Sequence, residues 1–276
     1  MERNIGRILY GALMKNIFLT LFFILLVFFS EAQVDSVRLN RQYFTQYYTD
    51  TRDWFTAPLS WKKKDWIKMA TIAGTITALT VLDKPVHQLF LENQSSAISS
   101  ITKYGFEPMG YMYSVAAIGG FLLHGSLAGN DRSRSTGLMA IQSYILSGLL
   151  VRIPKFAFDR PRPEAWCGSG THKWYAPVHG KSFPSGHTTS AFAVASVIAY
   201  QYKDKPWVPV TAYTLASLAG ISRVYDNRHW ISDVFAGAVF GTVTGNFICR
   251  QRQQNQLLLE PVSISGISGV KLIYRW

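Results

Sequence analysis

Residues 182–193 read SFPSGHTTSAFA. Pro184 and Gly186 supply turn chemistry, and the small and apolar residues from Thr188 to Ala199 have the length and composition of a buried or membrane helix. His187 therefore falls at or just before the first turn of that helix, among N–H groups without intrahelical partners and at the positive end of the helix dipole. Such a position is a ready anion site. A capping turn that happens to contain a histidine fits this stretch equally well when it is taken alone. Other parts of the chain have to decide between the two.

The chain has 276 residues, of which 48% are hydrophobic and 14% aromatic, with a formal net charge of +12. That length suits one domain of about 200 residues with appendages. A basic balance suits nucleic acid, an anionic membrane surface or a phosphorylated substrate. No Lys/Arg block interleaved with aromatics occurs, which sets nucleic acid aside as a partner. The two cysteines, Cys167 and Cys249, are too few for a disulfide scaffold and lack zinc-ligand spacing.

Arg3, Arg7 and Lys15 precede the apolar run IFLTLFFILLVFF at 17–29, which Ser30-Glu31-Ala32 follow. This pattern describes a secretory signal over 1–32 cleaved after Ala32, with an uncleaved anchor as the alternative. Either one takes the protein out of the cytoplasm. Residues 33–61, with Tyr43, Phe44, Tyr47, Tyr48, Trp54 and Phe55, read as an amphipathic lead-in. Apolar stretches then cover 66–82, 111–129, 136–153, 188–200, 207–222 and 234–249. They exceed ordinary strand length and show no sustained period-two alternation, so they predict an all-α fold, a six-helix bundle within a domain over 62–252. Gly237, Gly241 and Gly245 recur every four residues in the last stretch, a stripe that lets another helix approach closely. In the tail at 253–276, VSIS (262–265) and VKLIYRW (270–276) suggest a short C-terminal β-hairpin.

Three stretches fall at predicted helix ends. KFAFDRPRP carries Lys155 and, seven residues on, Arg162-Pro163; the second is Pro184-Ser185-Gly186-His187; SRVYDNRHWISD carries Ser222-Arg223, His229 and Asp233. Lys155, Arg162 and Arg223 offer three positive side chains, and the two arginines can grip phosphate oxygens bidentately. His229 and Asp233 are four apart and share a helix face, so the carboxylate can hold the proton on one ring nitrogen and aim the other, neutral nitrogen at phosphorus. As an isolated pair they would be an ordinary surface i,i+4 contact.

In order and spacing, these three stretches resemble the signature of the phosphatidic acid phosphatase type 2 and vanadium haloperoxidase superfamily, and the resemblance covers about 62–250. It implies that His229 is the nucleophile, forming a phosphohistidine, and that Asp233 orients it. His187 would protonate the departing alkoxide and then activate water. Lys155, Arg162, Arg223, the Ser185 hydroxyl and the Gly186 N–H would bind the phosphate. No metal or other cofactor is implied, and vanadate is the expected inhibitor. Cys167, His172 and His179 can be drawn as a metal site, but their spacing is poor. The 164–183 loop lies between the first and second motifs, and Trp166, Lys173, Trp174 and Lys181 are its candidates for head-group recognition; His87 and His124 read as structural.

If the helices span a membrane, the three motifs share one face. The opposite face collects Lys62, Lys63, Lys64, Arg132, Arg134, Lys203, Lys205, Arg250 and Arg252, which makes that face cytoplasmic and turns the site outward. Cys167 and Cys249 would then be a membrane's thickness apart and unbridged. Two features pull the other way. An N-terminal signal leaves 33–61 outside, where the six-span layout needs them inside. The stretches are also short and rich in Ser, Thr and Gly, and the mean hydropathy is only +0.08. The leading expectation is a metal-independent, cell-envelope phosphatase of a lipid phosphate in the inner membrane: phosphatidate, phosphatidylglycerol phosphate, polyprenyl diphosphate or lipid A. A soluble periplasmic acid phosphatase, a vanadium haloperoxidase and an inactive membrane scaffold are the alternatives.

Overall fold

The computed structural model describes residues 41–165, 181–254, 257–264 and 267–274. The expected signal or anchor at 1–32 and the loop residues Trp166, Cys167, His172, Lys173, Trp174 and His179 lie outside the described residues. The helices are α1 (Arg41–Thr56), α2 (Lys63–Glu92), α3 (Ser96–Ile101), α4 (Met112–Leu127), α5 (Asp131–Leu150), α6 (Arg152–Phe158), α7 (Gly186–Gln201), α8 (Trp207–Tyr225) and α9 (Ile231–Gln254). Strands β1 (Leu257–Ile264) and β2 (Ile267–Tyr274) pair antiparallel, with Leu257 opposite Tyr274. The body of the fold is all-α.

Local chemistry sets several boundaries. The Asn130 side chain accepts from Ser133 N–H at 2.9 Å and caps α5, and the Asp65 carboxylate reaches back to Lys62 N–H at 3.1 Å to start α2. Asp159, with φ of 35°, takes the left-handed conformation that ends α6 and turns the chain into the first motif. Helix α2 departs from expectation: it runs past the apolar stretch at 66–82 and through Pro85 to Glu92. Burial explains this, since Asp83 and His87 are 1% and 6% exposed and find polar partners inside the bundle.

Helix α7 is central, packing against α9, α8, α5 and α4. The glycine stripe of α9 sets its closest approach. A Cβ on Gly237 would lie 2.6 Å from the Ser185 carbonyl oxygen, and one on Gly241 would lie 2.2 Å from that of Thr189. The interior is lined by small and hydroxylated residues: Ser133, Ser135, Thr136, Ser143, Ser147, Thr188, Thr189 and Thr244 are fully buried. Several hydroxyls bond back to their own helix, as Thr136 does to Arg132 O at 2.7 Å and Thr189 to Ser185 O at 2.8 Å. Large apolar side chains point outward instead, among them Val81, Leu123, Leu127, Leu149 and Val210. Much of the Ser and Thr content of α5 and α7 thus sits inside, whereas Thr71, Thr75 and Thr77 of α2 are exposed. The helical stretches Asp131–Phe158 and Ile231–Gln253 are long and apolar enough to cross a membrane.

The lead-in is packed rather than loose. Tyr43 Oη donates to Leu138 O at 2.8 Å, and Gln142 Nε2 donates to Asp50 at 2.6 Å while its oxygen accepts from Arg252 at 2.5 Å. Arg252 is therefore an interior group. So is Arg132, which pairs with Asp204, donates to Gln201 O and lies over the Tyr202 ring. These two members of the expected basic face are buried, not free surface charges.

Because the Gly241 Cβ would strike backbone, Gly241→Ala is expected to lower stability by about 1–3 kcal/mol through overpacking, outweighing the helix-propensity gain of ~1 kcal/mol. Gly74→Ala, whose Cβ would meet nothing within 4 Å, keeps that gain and is expected to be neutral or stabilising. Thermal unfolding of the two purified variants checks this.

Candidate active site

The three motifs meet at one end of the bundle, tied by hydrogen bonds that cross between them. Ser182 N–H donates to Arg160 O at 2.9 Å, Ser185 N–H donates to Asp233 O at 2.9 Å, and the Trp230 indole donates to Pro161 O at 2.9 Å. Residues from α6, the turn before α7 and the α8–α9 loop are thereby held in one unit. Asn227, with φ of 59°, makes the left-handed turn that points His229 inward, and its side chain bonds to His87 on α2. His124 bonds to Ser133 at 2.9 Å, away from this cluster.

His229 is 4% exposed and Asp233 fully buried. The His229 Nδ1 lies 3.7 Å from Asp233 Oδ2 and 3.4 Å from the Ser182 hydroxyl, which itself donates to Asp233 Oδ2 at 2.5 Å. Trp230 N–H also donates to that oxygen, at 3.0 Å. The ring thus presents Nδ1 to the carboxylate side and leaves Nε2 as its other face. Burial lowers the His229 pKa, with Asp233 acting in the opposite direction. A lowered pKa favours the neutral ring, the form in which an imidazole can act as a nucleophile.

His187 is the second residue of α7 and stands outside the two helical stretches that are long and apolar enough to cross a membrane. Gly110 presses against it so closely that a Cβ there would lie 2.6 Å from the His187 Cβ. Burial, then Arg223 and His229, push the His187 pKa down to about 4. An incoming phosphate dianion would offset the positive neighbours and raise it again, so protonation of His187 is coupled to anion binding.

The expected phosphate ligands surround these rings. Lys155 crosses Gly186, whose Cβ would lie 3.6 Å from Lys155 Cε, and its Nζ donates to Lys181 O at 2.8 Å. Arg162 is at the rim, 3.6 Å from Glu164, which Arg228 also holds at 2.5 Å. Arg223 is buried, giving Nη1 to Glu107 and Nη2 to Asp226, each at 2.8 Å, while its Nε has no protein acceptor. Ser185 is fully buried, and its hydroxyl accepts from Thr188 at 2.9 Å. Lys181 is the one loop candidate among the described residues, with its Nζ over the Phe156 ring at 4.6 Å. Among the described residues, no three His, Cys, Asp or Glu side chains are grouped to hold a metal.

A cavity of about 370 Å³ opens here. Arg152, Lys155, Lys181 and His187 line it together with Tyr111, Tyr144, Gly148, Val151 and Phe156. A lining that combines cationic and apolar side chains suits an amphiphilic anion.

Sequence reasoning missed Arg160, Ser182, Ser232, Asp83 and Glu107. The first three lie inside the quoted motif stretches, where adjacency was the available signal. Asp83 and Glu107 come from elsewhere in the chain, and nothing local marks them. Glu107 competes with any bound anion for Arg223. Glu107→Gln is therefore expected to bind inorganic phosphate roughly twofold to fivefold more tightly, the worth of a partly exposed ion pair. Isothermal titration of phosphate into both proteins measures it.

Residues 136–257 match the PAP2 superfamily. Lipid A 1-phosphatase of Porphyromonas gingivalis is 39% identical over 118 residues, which are 41% of this chain and 24% of that protein. Phosphatidylglycerophosphatase B of Bacillus subtilis is 35% identical over 116 residues, 38% of this chain and 52% of that protein. The chain thus spans about a quarter to a half of these two relatives' length. The crystal structure of Aquifex aeolicus LpxE aligns with a TM-score of 0.49 at 24% identity, covering 61% of this chain and 95% of that one. The segment similar to the PAP2 superfamily, 136–257, holds Lys155, Arg162, His187, Arg223, His229 and Asp233, the residues of the three motifs gathered at this site.

Proposed function

We propose that this protein is a membrane phosphatase that hydrolyses a lipid phosphate or diphosphate through a phosphohistidine, without a metal ion. The observation that carries this reading is the mixed lining of the cavity, which Arg152, Lys155 and His187 share with apolar groups. We read Tyr111, Tyr144, Gly148 and Val151 as an apolar lane for an acyl chain. A soluble monoester needs only the polar groups; a lipid phosphate uses both kinds. The outward-facing apolar side chains support residence in a bilayer, since contiguous apolar surface of this kind is uncommon on soluble monomers. The names of the two enzymes cited, a lipid A 1-phosphatase and a phosphatidylglycerophosphatase, agree in substrate class.

The chemistry follows from the geometry. Lys155, Arg162 and Arg223 take the charge of the phosphoryl oxygens. His229 Nε2 forms a bond to phosphorus as the phosphorus–alkoxide bond breaks, and Asp233, with Ser182, holds the proton on Nδ1. The departing oxygen takes its proton from His187. Water then gives a proton back to His187 and attacks phosphorus, and cleavage of the P–N bond restores His229 and releases phosphate. We assign the site to the outer, periplasmic side of the inner membrane, with Asp131–Phe158 and Ile231–Gln253 among the spanning segments. Phosphatidate, phosphatidylglycerol phosphate, polyprenyl diphosphates and lipid A phosphates are the substrate candidates.

Phosphate release by the purified protein in chelator, on a panel from p-nitrophenyl phosphate to long-chain lipid phosphates, tests the reading. Turnover of the lipids and its loss in a folded His229→Ala variant are expected. Equal turnover of soluble esters would instead favour a broad acid phosphatase, and an active His229→Ala would remove the nucleophile assignment. The apolar lane has its own test. A side chain at Gly148 enters open space, so Gly148→Trp is expected to fill the lane without disturbing the fold. Long-chain substrates should then lose about tenfold or more in kcat/KM, ~1.4 kcal/mol, while p-nitrophenyl phosphate is unaffected.

A further inference from the structure

Asp83 lies on α2, which carries none of the three motifs, yet its side chain is sealed against the site. Its Oδ2 accepts from Arg160 Nη2 at 2.6 Å and from the Ser232 hydroxyl at 2.7 Å, and its Oδ1 accepts from Ser232 N–H at 3.0 Å. The same guanidinium gives Nη1 to Asp233 Oδ1 at 2.6 Å and to Ser232 Oγ at 2.7 Å. All four residues are at most 2% exposed. Arg160 thus fastens one oxygen of Asp233 and leaves the other to Ser182, Trp230 N–H and His229.

Charge gives this arrangement a further consequence. A guanidinium paired with Asp233 alone would cancel the carboxylate that His229 needs when its ring becomes positive on bonding to phosphorus. A second buried carboxylate on the far side of the guanidinium restores one negative charge to the cluster. In a medium of low polarity, that charge is complemented when the ring itself turns positive. One turn further along α2, His87 bonds to Asn227 and packs on the Trp230 ring, 5.4 Å between centroids. The same helix therefore steadies both the carboxylate and the loop that presents His229.

We propose that Asp83 is a positioning residue for phosphoryl transfer: acting through Arg160 and Ser232, it aims Asp233 at His229 and keeps the buried cluster one charge negative. This rests on the reading of His229 as the nucleophile. Removing the charge therefore slows the chemical step while substrate binding, made by other residues, stays as it was.

The test uses the full chain in detergent with dioctanoyl phosphatidate, measuring kcat, KM and phosphoenzyme formation in a single turnover. Asp83→Asn is expected to lower kcat and the rate of phosphoenzyme formation together by about tenfold to a hundredfold, the span for a hydrogen bond to a charged group, with KM within about twofold. Arg160→Lys keeps a positive charge but cannot fork between two carboxylates; it is expected to show the same kcat-selective loss, and it is read in place of Asp83→Asn if that variant does not fold. Asp50→Asn is the control: this acid is 1% exposed, like Asp83, but bonds Gln142 far from the site. Its kcat is expected to be unchanged. Wild-type kcat in Asp83→Asn and Arg160→Lys, or an equal loss in Asp50→Asn, overturns the proposal while the phosphatase reading stands. A wild-type protein that forms no phosphoenzyme overturns the phosphatase reading and this proposal with it.

Discussion

The guanidinium of Arg160, buried between the carboxylates of Asp83 and Asp233, is the contact on which the rest of the site depends. Taking such charges out of water costs several kcal/mol per ion, and breaking one buried pair typically costs about 3–5 kcal/mol. A cluster of this kind persists when its geometry is close to ideal and its remaining donors and acceptors are filled. Here Ser232 provides both a hydroxyl and an N–H, and the Trp230 ring lies 5.4 Å from the guanidinium carbon. Because the three charges come from α2, the link after α6 and α9, the site is complete when those elements have docked.

The docking itself depends on small residues. Helix α7 reaches α9 across Gly237, Gly241 and Gly245 and buries serine and threonine hydroxyls that bond to their own backbone. Where α7 meets α9, side-chain volume is sacrificed for close backbone approach. The start of α7, with Gly186 and His187, consequently sits directly beside the start of α9. Ser185 N–H bonding to Asp233 O is the visible sign of that registry.

Cationic character at the mouth is tempered rather than maximised. Glu107 and Asp226 share Arg223, and Glu164 stands between Arg162 and Arg228. Three unpaired cations around two histidines would repel one another and bind any small anion tightly. Partial pairing keeps the arginines oriented and leaves them able to exchange one carboxylate for a phosphate oxygen. The low His187 pKa of about 4 belongs partly to the same balance: burial depresses it most, and the positive neighbours that add to the effect are those a bound dianion neutralises.

The residues of SFPSGH and SRVYDNRHWISD carried, by spacing, a helix beginning close to His187 and the i,i+4 relation of His229 and Asp233, while the class of chemistry came from the resemblance of the three stretches together. Short-range periodicity also carried the helical character and the close-packing role of the glycine stripe. Those features are local: each depends on neighbours within one or two turns. What tertiary structure decided is of longer range. The sequence shows no reason for Asp83 to meet Ser232 across 149 residues, or for Glu107 to meet Arg223 across 116. Likewise, the burial of Ser185 and the inward position of Arg132 and Arg252 depend on which helix faces they meet. In α5 and α7 the serines and threonines that argued against a membrane in the sequence lie largely in the interior, where helices touch each other. Composition records how much polarity a helix has; packing decides which way it faces.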